Sequence, residues 1–227
     1  MNDKCYYCGE SSTSIEHVPP KCFFPKEDRS SYKIDLITVP SCDKHNLEKS
    51  KDDEFLRSIC GSELSANIKA IQYEKIFRSL IRRDASLLKA TMKNIRPVSI
   101  GINQTCVFNY NKERFNQCIV NIAKGLYFNE YKKQCNYNWQ IVNIKEIFTI
   151  SSTESRNNAI GYFDCLTQFL NKNRFDVIQT SAPSVFQYSR ANVEKYSSYC
   201  IYKLRFYEGI EILAAPHLKT LKNISKG

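Results

Sequence analysis

Two short stretches hold residues whose types and spacing could do chemistry. They are "CYYCGESSTSIEHVPPKCFF", starting at Cys5, and "VPSCDKHNLEKSKDDE", starting at Val39. The chain has three histidines, and two of them, His17 and His45, fall inside these stretches. Cys5-Tyr-Tyr-Cys8-Gly9 places two thiolates on one tight turn, with a glycine to relax the backbone after the second. Cys42-Asp-Lys-His45 repeats the spacing with a soft sulfur and an imidazole nitrogen. With 33 residues between the pairs, Cys5, Cys8, Cys42 and His45 predict a tetrahedral zinc site, against the alternative of unligated core thiols. Four protein ligands leave no open position, so the expected role of the zinc is structural. A module of about 60 residues could not close a substantial core alone, and a metal clamp would supply much of its folding free energy.

Between the pairs lies Glu16-His17. The preceding "STSI" reads as a short strand, which Pro19 and Pro20 end. Adjacent strand residues point to opposite faces, unless a twist or bulge at the strand end brings both toward one cleft. Asn46 follows the fourth zinc ligand directly, at the start of a predicted helix. The zinc would then hold the strand of Glu16 and His17 beside the helix of Asn46, gathering a carboxylate, an imidazole and an amide.

With "CYYCG", "IEHVPPKCFF", "VPSCDKHN" and "KSKDDEFL" in that order, residues 5–56 resemble the HNH endonucleases, the ββα-metal nucleases, in their zinc-stabilised branch. The resemblance implies a treble-clef zinc scaffold, one catalytic Mg2+ or Mn2+, and DNA, ahead of RNA, as the polymer cut. It implies Glu16 as the carboxylate ligand of that ion, His17 as the general base, and Asn46 as a second metal ligand or an orienter of the base. An imidazole titrating near neutrality suits removal of a proton from the attacking water, and a hard cation suits the charge growing on the leaving 3′ oxygen. The chain departs from the family at two places. His45 stands where many relatives carry cysteine, and the family's third histidine, on the helix, is missing. Glu48, Asp52, Asp53, Glu54 or water could replace it, or those acids could simply be favourable charges on the first turns of a helix. Lys21, Lys44, Lys49 and Lys51 could touch phosphates or be solvated surface. Cys22 and His217 are read as packing and surface residues.

The wider elements divide into a nuclease module at 1–60 and a basic domain at 61–227 for DNA or a partner. Residues 1–60 hold nine Lys or Arg against eleven Asp or Glu, leaving 24 basic against 12 acidic in the remainder. The net charge of +10 therefore belongs to the larger part and favours a polyanionic partner. Apolar periodicity predicts a helix from Leu64 to about Ile95, stopped by Pro97, either broken at Asp84, which could cap a second helix, or continuous, with Lys75, Arg78, Arg82, Lys89 and Lys93 then on one face. Helices are also predicted over 111–134, capped by Asn111 with Phe115, Cys118, Ile119, Ile122 and Leu126 inward, and over 157–171. Strands are predicted over 137–148, 175–180 and 184–189, and a hairpin over 199–216 turning at Glu208-Gly209. Its aromatics Tyr199, Tyr202, Phe206 and Tyr207 read as sheet and core. The expected class is α+β.

Six scattered cysteines (Cys60, Cys106, Cys118, Cys135, Cys165, Cys200) read as buried thiols. No run is apolar enough to span a bilayer and no leader is seen, so a cytoplasmic chain with no membrane partner is expected. Two other readings stay beside the nuclease: a noncatalytic zinc module for nucleic-acid or protein recognition, and a nuclease subunit silent until a partner binds. A homo-oligomer through the C-terminal domain stays open, as does the pathway, for which restriction or anti-phage defence is the family's suggestion.

Overall fold

A computed structural model describes residues 4–24, 36–46, 49–62, 96–100, 103–107, 109–143, 157, 161, 175–178, 180–193 and 196–217. The helix read over 64–95, with its basic face, lies outside the described residues. So does the helix read over 157–171, apart from Asn157 and Gly161.

The architecture is mixed α and β. Strands β1 (Ser14–Val18) and β2 (Ile37–Ser41) form an antiparallel pair, and β2 runs into a helical turn, α1 (Asp43–Asn46), then helix α2 (Ser50–Gly61). A second antiparallel pair joins β3 (Arg96–Ile100) to β4 (Asn103–Val107). The sequence reading ends a helix at Pro97 and predicts no strand here; Pro97 sits inside β3 opposite Cys106. Helix α3 (Lys112–Tyr131) follows, then a five-stranded antiparallel sheet in the order β5-β9-β8-β7-β6. Its strands are β5 (Trp139–Asn143), β6 (Asp176–Ile178), β7 (Phe186–Val193), β8 (Tyr196–Phe206) and β9 (Ile210–Pro216).

Local chemistry explains these elements. Asn111 caps α3, its Oδ1 accepting from the Arg114 amide at 2.9 Å, which satisfies a donor the first turn leaves free. The helix ends where Lys132 turns left-handed at φ 53° and its amide donates to the Phe128 carbonyl, a helix stop usually given to glycine. Phe115, Cys118, Ile119, Ile122 and Leu126 are all buried, as their spacing predicts. The β8–β9 turn differs from the reading by one residue. Positive φ falls on Tyr207 and Glu208, and the Gly209 amide donates to the Phe206 carbonyl.

Helix α3 lies against both strands of the β1–β2 pair, against α2 and against the large sheet. One apolar cluster therefore runs from Val18, Val39 and Leu56 through Ile119 and Leu126 to Tyr202, Leu204 and Phe206. Helix and hairpin approach closely at Gly125, where a side chain would meet Val18 Cγ2 at 2.6 Å. At the other end, Tyr207 donates to the Phe23 carbonyl at 3.1 Å, and Phe23 packs on the rings of Phe206 and Tyr207. The region before residue 62 and the sheet thus share their packing. No described helix is long and apolar enough to cross a membrane.

Candidate metal centre

Cys5, Cys8, Cys42 and His45 converge, their ligand atoms all lying within 4.8 Å of one another. Cys8 Sγ is 3.8 Å from Cys42 Sγ, and His45 Nδ1 is 3.2 Å from Cys42 Sγ and 3.9 Å from Cys5 Sγ. A tetrahedral zinc with Zn–S of about 2.3 Å and Zn–N of about 2.0–2.1 Å sets sulfurs about 3.8 Å apart and sulfur from nitrogen about 3.5 Å. The four residues fit that ion, and the cluster can hold a zinc through Nδ1 of His45.

The scaffold around the quartet comes from three segments. Gly9 sits at φ +81° and its amide donates to the Cys5 carbonyl, while the Cys5 amide donates to Glu10. The Tyr6 amide donates to Pro40 and the Thr13 amide to Ser41, tying the first turn to β2. The amides of His45 and Asn46 both donate to the Cys42 carbonyl, winding α1 directly from the third ligand. Burial pulls the Cys5 thiol up, but the backbone amides of Cys8, Tyr7 and Cys42 outweigh it and leave the thiol below its ordinary range, the direction a metal-binding sulfur needs. Cys8 moves the other way, raised by burial and by the neighbouring sulfurs of Cys5 and Cys42.

Outside the ligands, Tyr7 stacks on the His45 ring with centroids 4.4 Å apart. Lys124 of α3 sets its ammonium 3.9 Å above the Tyr7 ring, and Gln117 donates to the Tyr7 hydroxyl. Gln134, just past α3, donates to the Cys5 carbonyl at 3.1 Å. Three thiolates and a neutral imidazole on a divalent ion carry net negative charge, so a lysine beside them is favourable. This outer support, from residues some 110 to 130 positions away, carries no local signal in the sequence.

The residues read as catalytic divide between the two faces of β1. The β1–β2 ladder runs unbroken through Glu16↔Val39, His17↔Thr38 and Val18↔Ile37, with no bulge to turn neighbours together. Glu16 and Val18 face inward and are buried, while Ile15, 63% exposed, and the partly exposed His17 alternate to the other face. Asn46 reaches the inner side, its Nδ2 donating to Ser14 Oγ at 2.9 Å. Glu16 and Asn46 thus share a strand face, and His17 takes the opposite one.

Glu16 is also paired in a way its sequence neighbours do not announce. Its Oε1 accepts from the Lys49 ammonium, and both side chains are buried, at 5% and 7% exposure. Lys49 is therefore neither the solvated nor the phosphate-contacting residue of the sequence reading, whereas Lys21, Lys44 and Lys51 are exposed. Asp53, one helical turn after Lys49, is pushed up to about 6 by burial, with Lys49 pulling it down and Glu16 and Asp52 adding to the rise. Asp52 instead accepts from Arg114 of α3 at 2.7 Å. Cys22 donates to the Asp53 carbonyl and its thiol is pushed up to about 12 by burial, in keeping with a packing role. Exposed His217 follows β9, its amide donating to the Asn138 carbonyl.

Family models, curated proteins and solved structures were each compared with the chain, and none matches.

Proposed function

We propose that the chain is a zinc-anchored, metal-dependent endonuclease of the HNH type, hydrolysing DNA phosphodiester bonds. The observation that carries this reading is the course of the chain through the quartet. A two-cysteine turn leads into β1 with Glu16-His17; β1 pairs with β2; and β2 passes through Cys42 and His45 straight into the turn that ends on Asn46. Two paired strands and a helical turn beside a quartet that can hold a zinc support the treble-clef, ββα-metal reading that the sequence resemblance implies.

In this reading His17, on the strand face opposite Glu16 and across from exposed Thr38, takes the proton from the attacking water. General-base help of this kind contributes about 100- to 10,000-fold. Asn46 orients the strand through Ser14, and Glu16 supplies the carboxylate for a hard divalent ion. Such an ion, when bound, would stabilise the charge on the leaving 3′ oxygen. The basic C-terminal region holds the polymer through its phosphates.

The burial of Glu16 against Lys49, with His17 on the other strand face, favours a second reading: a noncatalytic zinc module for recognition. Plasmid nicking by zinc-loaded protein with Mg2+ or Mn2+ separates the two. The nuclease reading expects nicks that fall by at least about 100-fold in His17→Ala and fall also in Asn46→Ala. DNA binding without any divalent-dependent cleavage, in the presence and absence of proteins that the chain pulls down, would favour the recognition module.

A further inference from the structure

We propose that α3 and the residues just past it set how tightly the quartet holds its ion: Lys124, acting through the Tyr7 ring on His45, and Gln134, acting on the Cys5 turn, are positioning residues of the zinc site. The inference rests on the zinc quartet and is independent of the cleavage reading.

Each ligand-bearing segment has its own support from this distant part of the chain. The His45 imidazole stacks on the Tyr7 ring, with centroids 4.4 Å and planes 27° apart. The Lys124 ammonium stands 3.9 Å from the centroid of the same ring. Gln117 fixes the end of that ring, donating to its hydroxyl at 3.2 Å, and donates also to Asn121 at 3.0 Å. Gln117, Asn121 and Lys124 recur at i, i+4 and i+7, which is one face of a helix. The Cys5–Cys8 turn is held separately. Gln134 Nε2 donates to the Cys5 carbonyl at 3.1 Å, and a Cβ on Gly9 would meet Gln134 Oε1 at 2.9 Å. The glutamine amide therefore covers the glycine that lets the turn close.

Charge explains what the lysine does there. Three thiolates and a neutral imidazole overcompensate a divalent ion, and among the described residues no carboxylate pairs with Lys124. Its positive charge is left for the ring and for the cluster that the ring touches. An aromatic face attracts a cation, so Tyr7 keeps the ammonium beside the site while it fixes the plane of the ligand imidazole. Outer partners of this kind change metal affinity by about 10- to 100-fold. By reciprocity, a bound zinc favours the docked α3 by the same factor.

The test uses the full chain. Competition with a chromophoric chelator gives the zinc affinity, and the visible bands of the Co2+-loaded protein report the ligand geometry. Lys124→Met should bind zinc at least about tenfold more weakly and shift the Co2+ bands, and Lys124→Arg, which keeps a cation for the ring, should restore the affinity. Lys133→Met is the control, since it removes the same charge from a lysine 6.0 Å from the Tyr131 ring instead, and it should bind zinc like the wild type. In a Tyr7→Leu background Lys124→Met should have no further effect. Gln134→Leu should still weaken binding in that background, because it acts on the other segment. The inference is overturned if Lys124→Met or Gln134→Leu binds zinc like the wild type, if Lys133→Met weakens binding as much as Lys124→Met, or if the Lys124 effect survives in Tyr7→Leu. Should Lys124→Met not fold, Lys124→Gln set against Lys124→Arg decides. A wild type that binds no zinc would overturn the quartet and the inference together, whereas the other failures leave the quartet standing.

Discussion

Replacing Gly125 with alanine should wedge α3 away from β1, and the size of the effect follows from the contact. A Cβ there would lie 2.6 Å from Val18 Cγ2 and 3.2 Å from Cγ1, where 3.4–4 Å is ordinary contact. Val18 is 2% exposed, and its β-branched side chain has few rotamers with which to turn aside. Overpacking of a closed site costs about 1–3 kcal/mol, and removal of a mid-helix glycine returns about 1 kcal/mol. The single variant should therefore lose up to about 2 kcal/mol. Val18→Ala alone removes two buried methyl groups and should cost at least about 1.6 kcal/mol. Together the changes relieve one another, since the new methyl enters the space that valine vacates. The double variant should then be more stable than the sum of the singles by about 1–3 kcal/mol. Urea denaturation of the zinc-loaded proteins measures all four corners of this cycle. Additivity within about 0.5 kcal/mol would refute the contact and with it the docking of the hairpin on α3.

Further outcomes test other parts of the structure. At pH 8 and with zinc bound, alkylation should spare Cys22 and Cys118, both pushed up to about 12 by burial, and Cys200, pushed up to about 11 by the same cause. Chelation should add Cys5, Cys8 and Cys42 to the modified set, read by mass spectrometry, while Cys42→Ser should lose the zinc. Asn111→Ala should cost about 1 kcal/mol in the same urea assay, since its Oδ1 holds the Arg114 amide at the first turn of α3.

What the sequence made legible is what neighbours in the chain decide. The zinc quartet was readable because each half of it is a local turn with fixed spacing, so only the meeting of the two halves had to be inferred. Helix α3 was readable because its cap and its apolar stripe lie within the helix itself, and the β8–β9 hairpin because alternation and a turn signal are equally local. The pairing of Glu16 with Lys49 spans 33 positions and depends on which face of α2 meets β1. A lysine in a charged stretch reads as surface, and only packing moves it inward. For His17 the plain rule of alternation was the better guide than the hope of a bulge. At Pro97, where the helix reading stops, the chain is already in a strand that no alternation announced, and a proline can occupy a strand position that owes no donor to the ladder.

The apolar cluster that runs unbroken from Val18 and Leu56 to Tyr202 and Phe206 has a bearing on how such a protein can change. Transplanting its first sixty residues into a foreign host would lay bare the underside of the hairpin and the phenyl rings of Phe23 and Phe55. The cysteine-bearing hairpin and the large sheet are then cast as one piece, able to drift in sequence together but not to be swapped like beads on a string.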